Sequence, residues 1–363
     1  MVAYNVISAD SHVFEPPNLF IDYIDPEFRS RAPRIIRQDG VDKWQMEGVP
    51  LRDIGLQSAA GQRPEEMKAE VQHADTRPGG WDPHERIKDM DLDHIDAEVL
   101  YTSLFPLYRL PDRAYQAACA RAYNDWLADM CSVYPDRLIG VGIIPIHMMD
   151  VALEELRRTA KAGLKGASLH SLPPDDRPFQ DPYYEPFWAE AEAMGMPVSF
   201  HMFSGERRNK VSMNDRLVTY STAPVEIQET LAVLIASGVL ERYPKLKVVS
   251  VEADIGWMPN FLARLDHQYD THRFHDNPDS PLTMRPSEYC RRQVYATFID
   301  DAIGVENRHH IGVENIMWSS DYPHSNSTWP KSAQFIQSQF GGVPEEERRK
   351  MVCGNVAALY GIG

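Results

Sequence analysis

The sequence predicts one α/β domain built as a (β/α)8 TIM barrel. Short apolar, β-branched runs recur along the 363 residues, and eight of them can be counted. Most are followed by a stretch with helical periodicity, which is the order of repeated βα units. Ionisable side chains stand at the C-terminal ends of several runs, where the active sites of such barrels are built.

The predicted strands are nearly continuous apolar runs, as expected for parallel strands that are buried on both faces. They cover residues 5–9, 98–102, 138–144, 166–169, 198–200, 247–251, 294–298 and 316–319. The clearest predicted helices cover residues 114–134, 151–162, 186–194, 225–237 and 258–269. Gly163, Gly195 and Gly238 follow three of these helices and suit left-handed C-terminal caps.

One long segment, residues 25–82, interrupts the alternation of strands and helices. It is rich in Pro, Gly, Arg, Gln and Glu and has no convincing strand or long helix. We expect an insertion after the first strand that lies over the C-terminal face as a lid or substrate wall. The alternative is a surface excursion or a dimer contact. A second irregular stretch covers residues 270–286, and we expect residues 1–363 to form a single domain.

Composition excludes several classes of protein. The net charge of -16, from 53 acidic and 37 basic residues, argues against a nucleic-acid binder, which needs a basic face. The four cysteines form no CxxC pair, so we expect no disulfide framework and a reducing cytoplasm. The N-terminal segment has no basic leader, and no run of 18 apolar residues occurs. We therefore expect neither a secretory signal nor a membrane span.

Four residues at the predicted strand ends have the chemistry of metal ligands. Asp10 and His12 are two residues apart, so a strand directs both side chains to the same face. His201 follows strand five and Asp321 follows strand eight, and a closed barrel brings these ends together at one mouth. Two imidazoles and two carboxylates suit Zn, Mn or Fe. The sequence therefore predicts a divalent metal site, with one ion favoured and two as the alternative.

Further polar residues near the same ends are candidates for catalysis and binding. The candidate catalytic residues are Glu252 after strand six, His170 after strand four and His324 after strand eight. Glu15 is a possible ligand, together with Glu252, for a second metal ion, or else a carboxylate that caps backbone amides. Arg109, just past strand two, is a candidate clamp for a substrate carboxylate.

Four segments and the C-terminus resemble a known family. They are ADSHVFEPP at 9–17, DPYYEPFWAEAEAMGMPVSFH at 181–201, GWMPNFLARLD at 256–266, SSDYPHSNSTWP at 319–330 and GNVAALYGI at 354–362. The chain is similar to the amidohydrolase-related branch of the amidohydrolase superfamily, which includes aminocarboxymuconate-semialdehyde, γ-resorcylate and 5-carboxyvanillate decarboxylases. The likeness covers nearly the whole chain apart from the early insertion.

The resemblance implies that the family's metal ligands fall on Asp10, His12, His201 and Asp321. It also shows one departure, because the decarboxylases place a histidine at the end of strand six where this chain has Glu252. A glutamate at this position either transfers protons or coordinates the metal.

Three functions follow from these residues. The first is a metal-dependent hydrolase or carboxy-lyase for a small carboxylated or carbonyl-containing substrate, aromatic acids included. The alternative is a dinuclear non-haem iron or manganese oxygenase on the same fold. A non-catalytic metal- or ligand-binding descendant comes third. We also expect a homodimer, since the irregular segments offer enough surface for an interface.

Overall fold

The computed structural model describes residues 4–173, 177–205, 216–276 and 280–363. Its strands are β1 (Ile7–His12), β2 (Arg34–Gln38), β3 (Val41–Met46), β4 (Val49–Asp53), β5 (Ala97–Tyr101), β6 (Leu138–Ile143), β7 (Gly166–His170), β8 (Val198–His201), β9 (Val248–Val251), β10 (Val294–Phe298) and β11 (Ile316–Trp318). Eight of them form one parallel sheet in the order β1-β5-β6-β7-β8-β9-β10-β11. The predicted TIM barrel is confirmed.

The first and last strands of this sheet meet just beyond the end of β11. The Asp321 amide donates to the Asp10 carbonyl over 3.0 Å, and the His12 amide donates to the Tyr322 carbonyl over 2.6 Å. The Ser320 amide also donates to the Ser8 hydroxyl over 2.8 Å. These bonds join the two edge strands where a parallel sheet would otherwise leave unpaired backbone groups. The barrel therefore closes through the residues that carry predicted metal ligands.

Helices surround the sheet. They are Leu19–Tyr23, Pro83–Leu92, Arg113–Ser132, Met149–Lys161, Glu185–Met194, Arg216–Thr222, Pro224–Ala236, Val239–Arg242, Met258–Asp276, Pro286–Gln293, Ala302–Glu306, Arg308–Ile311, Ser332–Gln339, Glu345–Arg349 and Asn355–Tyr360. Gly195 caps its helix in the left-handed conformation, with φ of 63°. Within the described ranges, no helix is long and apolar enough to cross a membrane.

The prediction of an irregular stretch over residues 270–286 was wrong at both ends. The helix Met258–Asp276 continues through its first part, and the helix Pro286–Gln293 begins at its end, while residues 277–279 lie outside the described residues. The last turns of the first helix are exposed and polar, so they lack the apolar periodicity that marks a packed helix. Local contacts hold them instead: the Arg273 guanidinium lies 4.7 Å from the Tyr269 ring centroid.

Several predicted strands ended too early. Strand β1 extends to His12, β7 includes His170 and β8 includes His201. The predictions stopped at these ionisable residues because burying a charge is costly. Their backbones nevertheless pair with the neighbouring strand, as His170 does with His201 in register.

The prediction that residues 25–82 contain no strand was also wrong. Strands β2, β3 and β4 form a separate antiparallel sheet. Asp39 and Gly40, with φ of 52° and 83°, form a two-residue turn between β2 and β3. Asp-Gly between strands is a strong hairpin signal, and β3 alternates buried Trp44 and Met46 with more exposed residues. Both signals were in the sequence and were obscured by the polar composition.

After β4 the insertion runs along the C-terminal mouth of the barrel. The Gln57 side chain donates to the Ser103 carbonyl over 2.6 Å, just past the end of β5. The Ala60 amide donates to the Pro323 carbonyl over 3.0 Å, and the Ser325 amide donates to the Leu56 carbonyl over 3.0 Å. The segment therefore contacts the loops that follow β5 and β11, which is the position that a substrate wall requires.

A buried ion pair ties the end of the insertion to the barrel. Arg86, on the helix Pro83–Leu92, is fully buried and its Nε lies 2.5 Å from Glu98 Oε2 on β5. Its Nη1 donates to the His12 carbonyl over 2.6 Å. The guanidinium also lies 4.6 Å from the Tyr322 ring centroid. Arg86 therefore holds the backbone of a predicted metal ligand, a role that no sequence pattern indicated.

We predict that Arg86→Met destabilises the protein by roughly 3–5 kcal/mol, because it leaves the Glu98 carboxylate buried without a counter-charge. Urea unfolding followed by circular dichroism measures the loss. The double variant Arg86→Met/Glu98→Leu should recover part of it, since both charges are then absent. If the free energy of unfolding of Arg86→Met lies within about 1 kcal/mol of the wild-type value, this account is contradicted.

Candidate metal centre

Five ionisable side chains from four barrel strands meet at the C-terminal mouth. Asp10 and His12 occupy alternate positions at the end of β1, and His201 is the last residue of β8. Glu252 follows β9 and Asp321 follows β11 in the next turns. Four of the five are 0 % exposed and Glu252 is 6 % exposed. The structure therefore brings together all four predicted ligands and Glu252.

The atoms that face one another are the imidazole nitrogens and the carboxylate oxygens. His12 Nε2 lies 3.5 Å from Asp10 Oδ1 and 3.5 Å from Asp321 Oδ1. His201 Nε2 lies 3.6 Å from Asp10 Oδ1 and 3.6 Å from Glu252 Oε2. The ligand atoms of Asp10, His12 and His201 all lie within 4.8 Å of one another. This spacing leaves room for one cation between them.

Backbone carbonyls define which nitrogen of each imidazole carries the proton. His12 Nδ1 lies 2.9 Å from the Thr102 carbonyl, and His201 Nδ1 lies 2.9 Å from the Met202 carbonyl. A carbonyl only accepts, so both Nδ1 atoms donate and both neutral rings have a lone pair on Nε2. The two Nε2 atoms face each other at 3.2 Å. Two lone pairs at this distance need a cation or a proton between them.

The buried carboxylates also need a cation or protons nearby. Both side-chain oxygens of Asp10 and of Asp321, and Oε2 of Glu252, are buried without a hydrogen-bond partner in the described part of the chain. Buried acceptors are normally satisfied, and an uncompensated buried carboxylate is costly. A divalent cation bound by nitrogen and oxygen atoms would satisfy them all, and this ligand set suits Zn, Mn or Fe. The residues present therefore fit the metal that the sequence predicts.

The electrostatics of the protein without a cation point to the same conclusion. Burial, followed by the neighbouring His324 and His201 rings, holds the pKa of His12 well below its usual value. Although burial opposes it, the adjacent Asp10 carboxylate raises the pKa of His201 to about 9. A proton on His201 Nε2 would then lie beside both Asp10 Oδ1, 3.6 Å away, and His12 Nε2, 3.2 Å away. Burial and the nearby Asp321 carboxylate raise the pKa of Glu252 well above 4.5. A bound dication would displace such protons by favouring the charged carboxylates and the free lone pairs.

Two of the residues have a strained backbone. Glu252 has φ of 59° and Asp321 has φ of 53°, in the left-handed region that non-glycine residues rarely adopt. Their amides are satisfied, since Glu252 donates to the Thr297 hydroxyl over 2.9 Å and Asp321 donates to the Asp10 carbonyl. Strain of this kind persists where surrounding contacts over-determine it, and it clusters at functional sites.

Glu15, predicted as a second-metal ligand or as a carboxylate that caps backbone amides, is fully buried. Its Oε1 accepts hydrogen bonds from the Thr102 hydroxyl over 2.5 Å and from the Ser103 amide over 3.1 Å. Burial raises its pKa to about 7. Among the residues that the structure describes, the groups spaced for an ion do not include Glu15. The contacts of Oε1 match the alternative, a carboxylate that caps backbone amides, whereas Oε2 is buried without a hydrogen-bond partner among the described residues.

The remaining predicted residues surround the centre. His170 Nδ1 contacts the Leu172 carbonyl, and its Nε2 is buried with no hydrogen-bond partner among the described residues. Burial and the nearby His147 ring lower the pKa of His170 to about 3. Arg109 is exposed and donates to the Gly205 carbonyl, in the loop after β8, over 2.9 Å.

His324 is close to the metal ligands. Its Nδ1 lies 2.9 Å from Asp321 Oδ1, and its Nε2 lies 2.8 Å from the Ser103 hydroxyl. Its ring stacks on His12 with centroids 3.9 Å apart.

Three residues near the site had not been predicted: Arg52, Arg86 and Ser103. Arg52 lies on β4, in the hairpin that the sequence analysis missed. The surrounding protein and the nearby Arg109 cation lower its pKa, so these two positive charges lie close together. Ser103 is the second residue after β5, and a polar residue after an apolar strand was the one available signal.

Comparisons with known proteins agree with this architecture. A family model described as amidohydrolase matches residues 10–362. The γ-resorcylate decarboxylase of Rhodococcus jostii is 27% identical over 299 residues, which are 76% of this chain and 86% of that protein. The crystal structure of an amidohydrolase from Mycobacterium avium subsp. paratuberculosis has a TM-score of 0.81 at 24% identity, covering 99% and 100% of the two chains.

A dihydroxybenzoic acid decarboxylase from Polaromonas, solved with bound manganese and the inhibitor 2-nitroresorcinol, has a TM-score of 0.68 at 20% identity and covers 99% and 97% of the chains. The family match spans the barrel and every residue of the metal centre. The chain therefore belongs to the amidohydrolase family and is a metal-dependent enzyme of that superfamily.

Proposed function

We propose that the chain is a carboxy-lyase that removes CO2 from a small aromatic carboxylic acid. The observation that carries this proposal is the pair of imidazole lone pairs that face each other, 3.2 Å apart, among buried carboxylates. The decarboxylase relative supports the reaction type, because it matches 76% of the chain.

Asp10, His12, His201 and Asp321 would hold one divalent cation. Manganese is favoured among Zn, Mn and Fe, because the similar Polaromonas decarboxylase binds it. When bound, the cation supplies Lewis acidity toward substrate oxygens and neutralises negative charge. The ligand set contains no thioether or thiolate, which is compatible with manganese.

The surroundings of the centre suit a flat, anionic substrate. The Phe105 ring lies 4.8 Å from the His201 ring centroid and 6.0 Å from that of His12, so it forms an apolar wall beside the cation. Aromatic rings pack on such a wall in offset or edge-on geometry. Arg109, after β5, and Arg52, from the insertion, place two positive charges near the mouth. A guanidinium binds a carboxylate in a bidentate manner, so we assign these two residues to the substrate carboxylate or its acidic substituents.

Decarboxylation also needs a proton. The bond between the ring carbon and the carboxylate carbon breaks, CO2 leaves, and a proton takes its place on the ring carbon. Glu252 is the residue that we assign to proton transfer, because its buried Oε2 faces the centre 3.6 Å from His201 Nε2. His170, in register with His201 at the end of β7, is the second candidate.

Two predicted alternatives are weaker. A dinuclear oxygenase needs further ligands for a second ion, and the Glu15 Oε1 atom is already bonded to Thr102 and Ser103. Hydrolysis at the same centre is the second, and the names of the decarboxylase relatives favour the lyase. The homodimer and the cytoplasmic location stay predictions.

The proposal is tested with the purified full-length chain. We predict about one equivalent of metal, with Mn²⁺ restoring activity to metal-depleted protein, and release of CO2 from γ-resorcylate, 5-carboxyvanillate or a related hydroxybenzoic acid. His12→Ala and Asp321→Ala should each lose the metal and the activity while circular dichroism stays unchanged, because mouth residues lie apart from the layers that hold the barrel together. Wild-type metal content in both variants, or no CO2 from any aromatic acid, would argue against the proposal.

Glu252→Gln distinguishes the two roles of this residue. If Glu252 transfers a proton, the variant keeps its metal and loses roughly 10²- to 10⁴-fold in kcat. If Glu252 is a ligand, metal content falls instead, because a neutral amide replaces an anionic oxygen. Metal analysis and steady-state kinetics on the same sample separate the outcomes. Unchanged metal and unchanged kcat would remove Glu252 from the mechanism.

Arg109→Met should raise KM for the acid by about 10- to 150-fold and change kcat much less, since it removes a charged hydrogen bond worth about 1.5–3 kcal/mol. Arg349→Met, at the end of an exposed helix far along the chain, is the matched control and should leave KM unaltered. An equal fall in kcat with constant KM would show that Arg109 acts on the reaction step and not on binding.

A further inference from the structure

His324 is hydrogen-bonded to Ser103, which determines which ring nitrogen carries the proton. Its ring is 12 % exposed and stacks on the His12 ring at a centroid distance of 3.9 Å and an interplanar angle of 24°. Its Nε2 lies 2.8 Å from Ser103 Oγ. The same Ser103 Oγ lies 2.6 Å from the Val13 carbonyl.

A serine hydroxyl has one proton and can donate it to one partner only. The Val13 carbonyl cannot donate, so the short contact between them requires the Ser103 hydroxyl to donate to it. Ser103 Oγ must then accept a hydrogen bond from His324, which places the proton of the neutral ring on Nε2. The lone pair of His324 therefore lies on Nδ1.

The Nδ1 atom also lies close to a carboxylate oxygen. His324 Nδ1 lies 2.9 Å from Asp321 Oδ1. A doubly protonated ring would donate from Nδ1 to this oxygen, yet Asp321 Oδ1 receives no hydrogen bond from any residue in the described ranges. The contact has the distance of a hydrogen bond without its direction. A lone pair and a carboxylate oxygen this close need a cation, as His12 and His201 do.

We propose that His324 binds, through Nδ1, the same cation that His12 and His201 bind, and that Ser103 is the positioning residue that fixes its tautomer. This inference rests on the proposed metal centre and extends it by a third imidazole. The ligand atoms of His12, Asp321 and His324 lie within 4.8 Å of one another, and this group shares His12 with the group of Asp10 and His201. One cation beside His12 would therefore lie within reach of both groups.

The inference has a chemical consequence. A ligating His324 is not free to shuttle protons, so proton transfer falls to Glu252 or His170. A third imidazole also changes the ligand field, because nitrogen donors favour Mn, Fe or Zn over Mg or Ca. The Ser103 hydroxyl has the same role as the Thr102 and Met202 carbonyls. Each accepts a hydrogen bond from the imidazole nitrogen that does not bind the metal.

The experiment counts nitrogen ligands directly. Metal-depleted wild-type protein labelled with ¹⁵N-histidine is loaded with Mn²⁺ and examined by electron–nuclear double resonance. We expect couplings from three imidazole nitrogens in wild type and from two in His324→Phe, which keeps a ring to stack on His12 and removes both nitrogens. The Kd for Mn²⁺ should rise by at least about 10-fold in this variant.

Ser103→Ala tests the positioning role and does not remove the ring. Without the hydroxyl, His324 can place its proton on Nδ1 and donate to Asp321, so we expect the third coupling to weaken and the Kd for Mn²⁺ to rise by about 10- to 100-fold. Ser250→Ala is the matched control, since its hydroxyl is buried without a hydrogen-bond partner in the described residues. It should retain the wild-type spectrum and Kd.

The possible results distinguish a failure of the His324 inference from a failure of the proposed function. Mn²⁺ bound to wild type through two imidazoles only, with His324→Phe unchanged in spectrum and Kd, overturns this inference and leaves the proposed function in place. No specific Mn²⁺ binding to wild type overturns both. A third coupling that Ser103→Ala leaves intact overturns the role of Ser103. If His324→Phe fails to fold by circular dichroism, the wild-type nitrogen count decides alone.

Discussion

The closure of the barrel between β1 and the segment after β11 is the constraint on which the site depends. Asp321 and Asp10 are linked by the same backbone hydrogen bond that joins the two edges of the sheet, and His12 is linked to Tyr322 in the next rung. The residues come from opposite ends of the chain, so only a closed sheet places their side chains within 3.5 Å of one another. The metal centre therefore assembles when the barrel closes. A change that breaks the contact between β1 and the segment after β11 would separate the predicted ligands.

Around this contact between β1 and the segment after β11, the two imidazoles His12 and His201 are each held by a polar backbone group. The Thr102 and Met202 carbonyls hold the outer nitrogens of His12 and His201, and the Arg86 guanidinium holds the His12 carbonyl. Such contacts select one tautomer and one ring orientation before the cation arrives, which increases affinity because less ordering remains to be done on binding. The strained backbone at Glu252 and Asp321 is compatible with this arrangement, since the surrounding hydrogen bonds over-determine it.

In the proposed function, the insertion adds to the groups of the barrel mouth. The mouth would bind the cation, while Arg52 from the insertion and the nearby Arg109 from the loop after β5 would bring positive charge for an anionic substrate. The hydrogen bonds of Gln57, Ala60 and Ser325 join this wall to the loops after β5 and β11. Loop contacts of this kind let one barrel serve many substrates, because the wall varies while the ligands at the strand ends stay in place.

Local pattern was sufficient for the fold class, the number of barrel strands and the meeting of the four predicted ligands and Glu252 at one mouth, while their roles stay predictions. Each of these depends on short-range rules: apolar runs make strands, alternate residues share a face, and parallel strands direct their C-terminal ends to one mouth. The β2–β4 sheet was also predictable from the Asp39-Gly40 turn and from the alternation of buried and more exposed residues in β3. The polar composition of the segment obscured these signals.

Only the tertiary structure decided the rest, because it depends on which groups from distant segments meet. Glu15 has the chemistry of a ligand in the sequence, and its Oε1 is bonded instead to the Thr102 hydroxyl and the Ser103 amide. Arg86 has no recognisable pattern, and Ser103 has only the weak signal of a polar residue after an apolar strand. They matter because Arg86 contacts the His12 carbonyl and Ser103 contacts His324. The protonated nitrogen of His12 is set by the Thr102 carbonyl and that of His324 by the Ser103 hydroxyl, and no spacing along the chain encodes these long-range contacts.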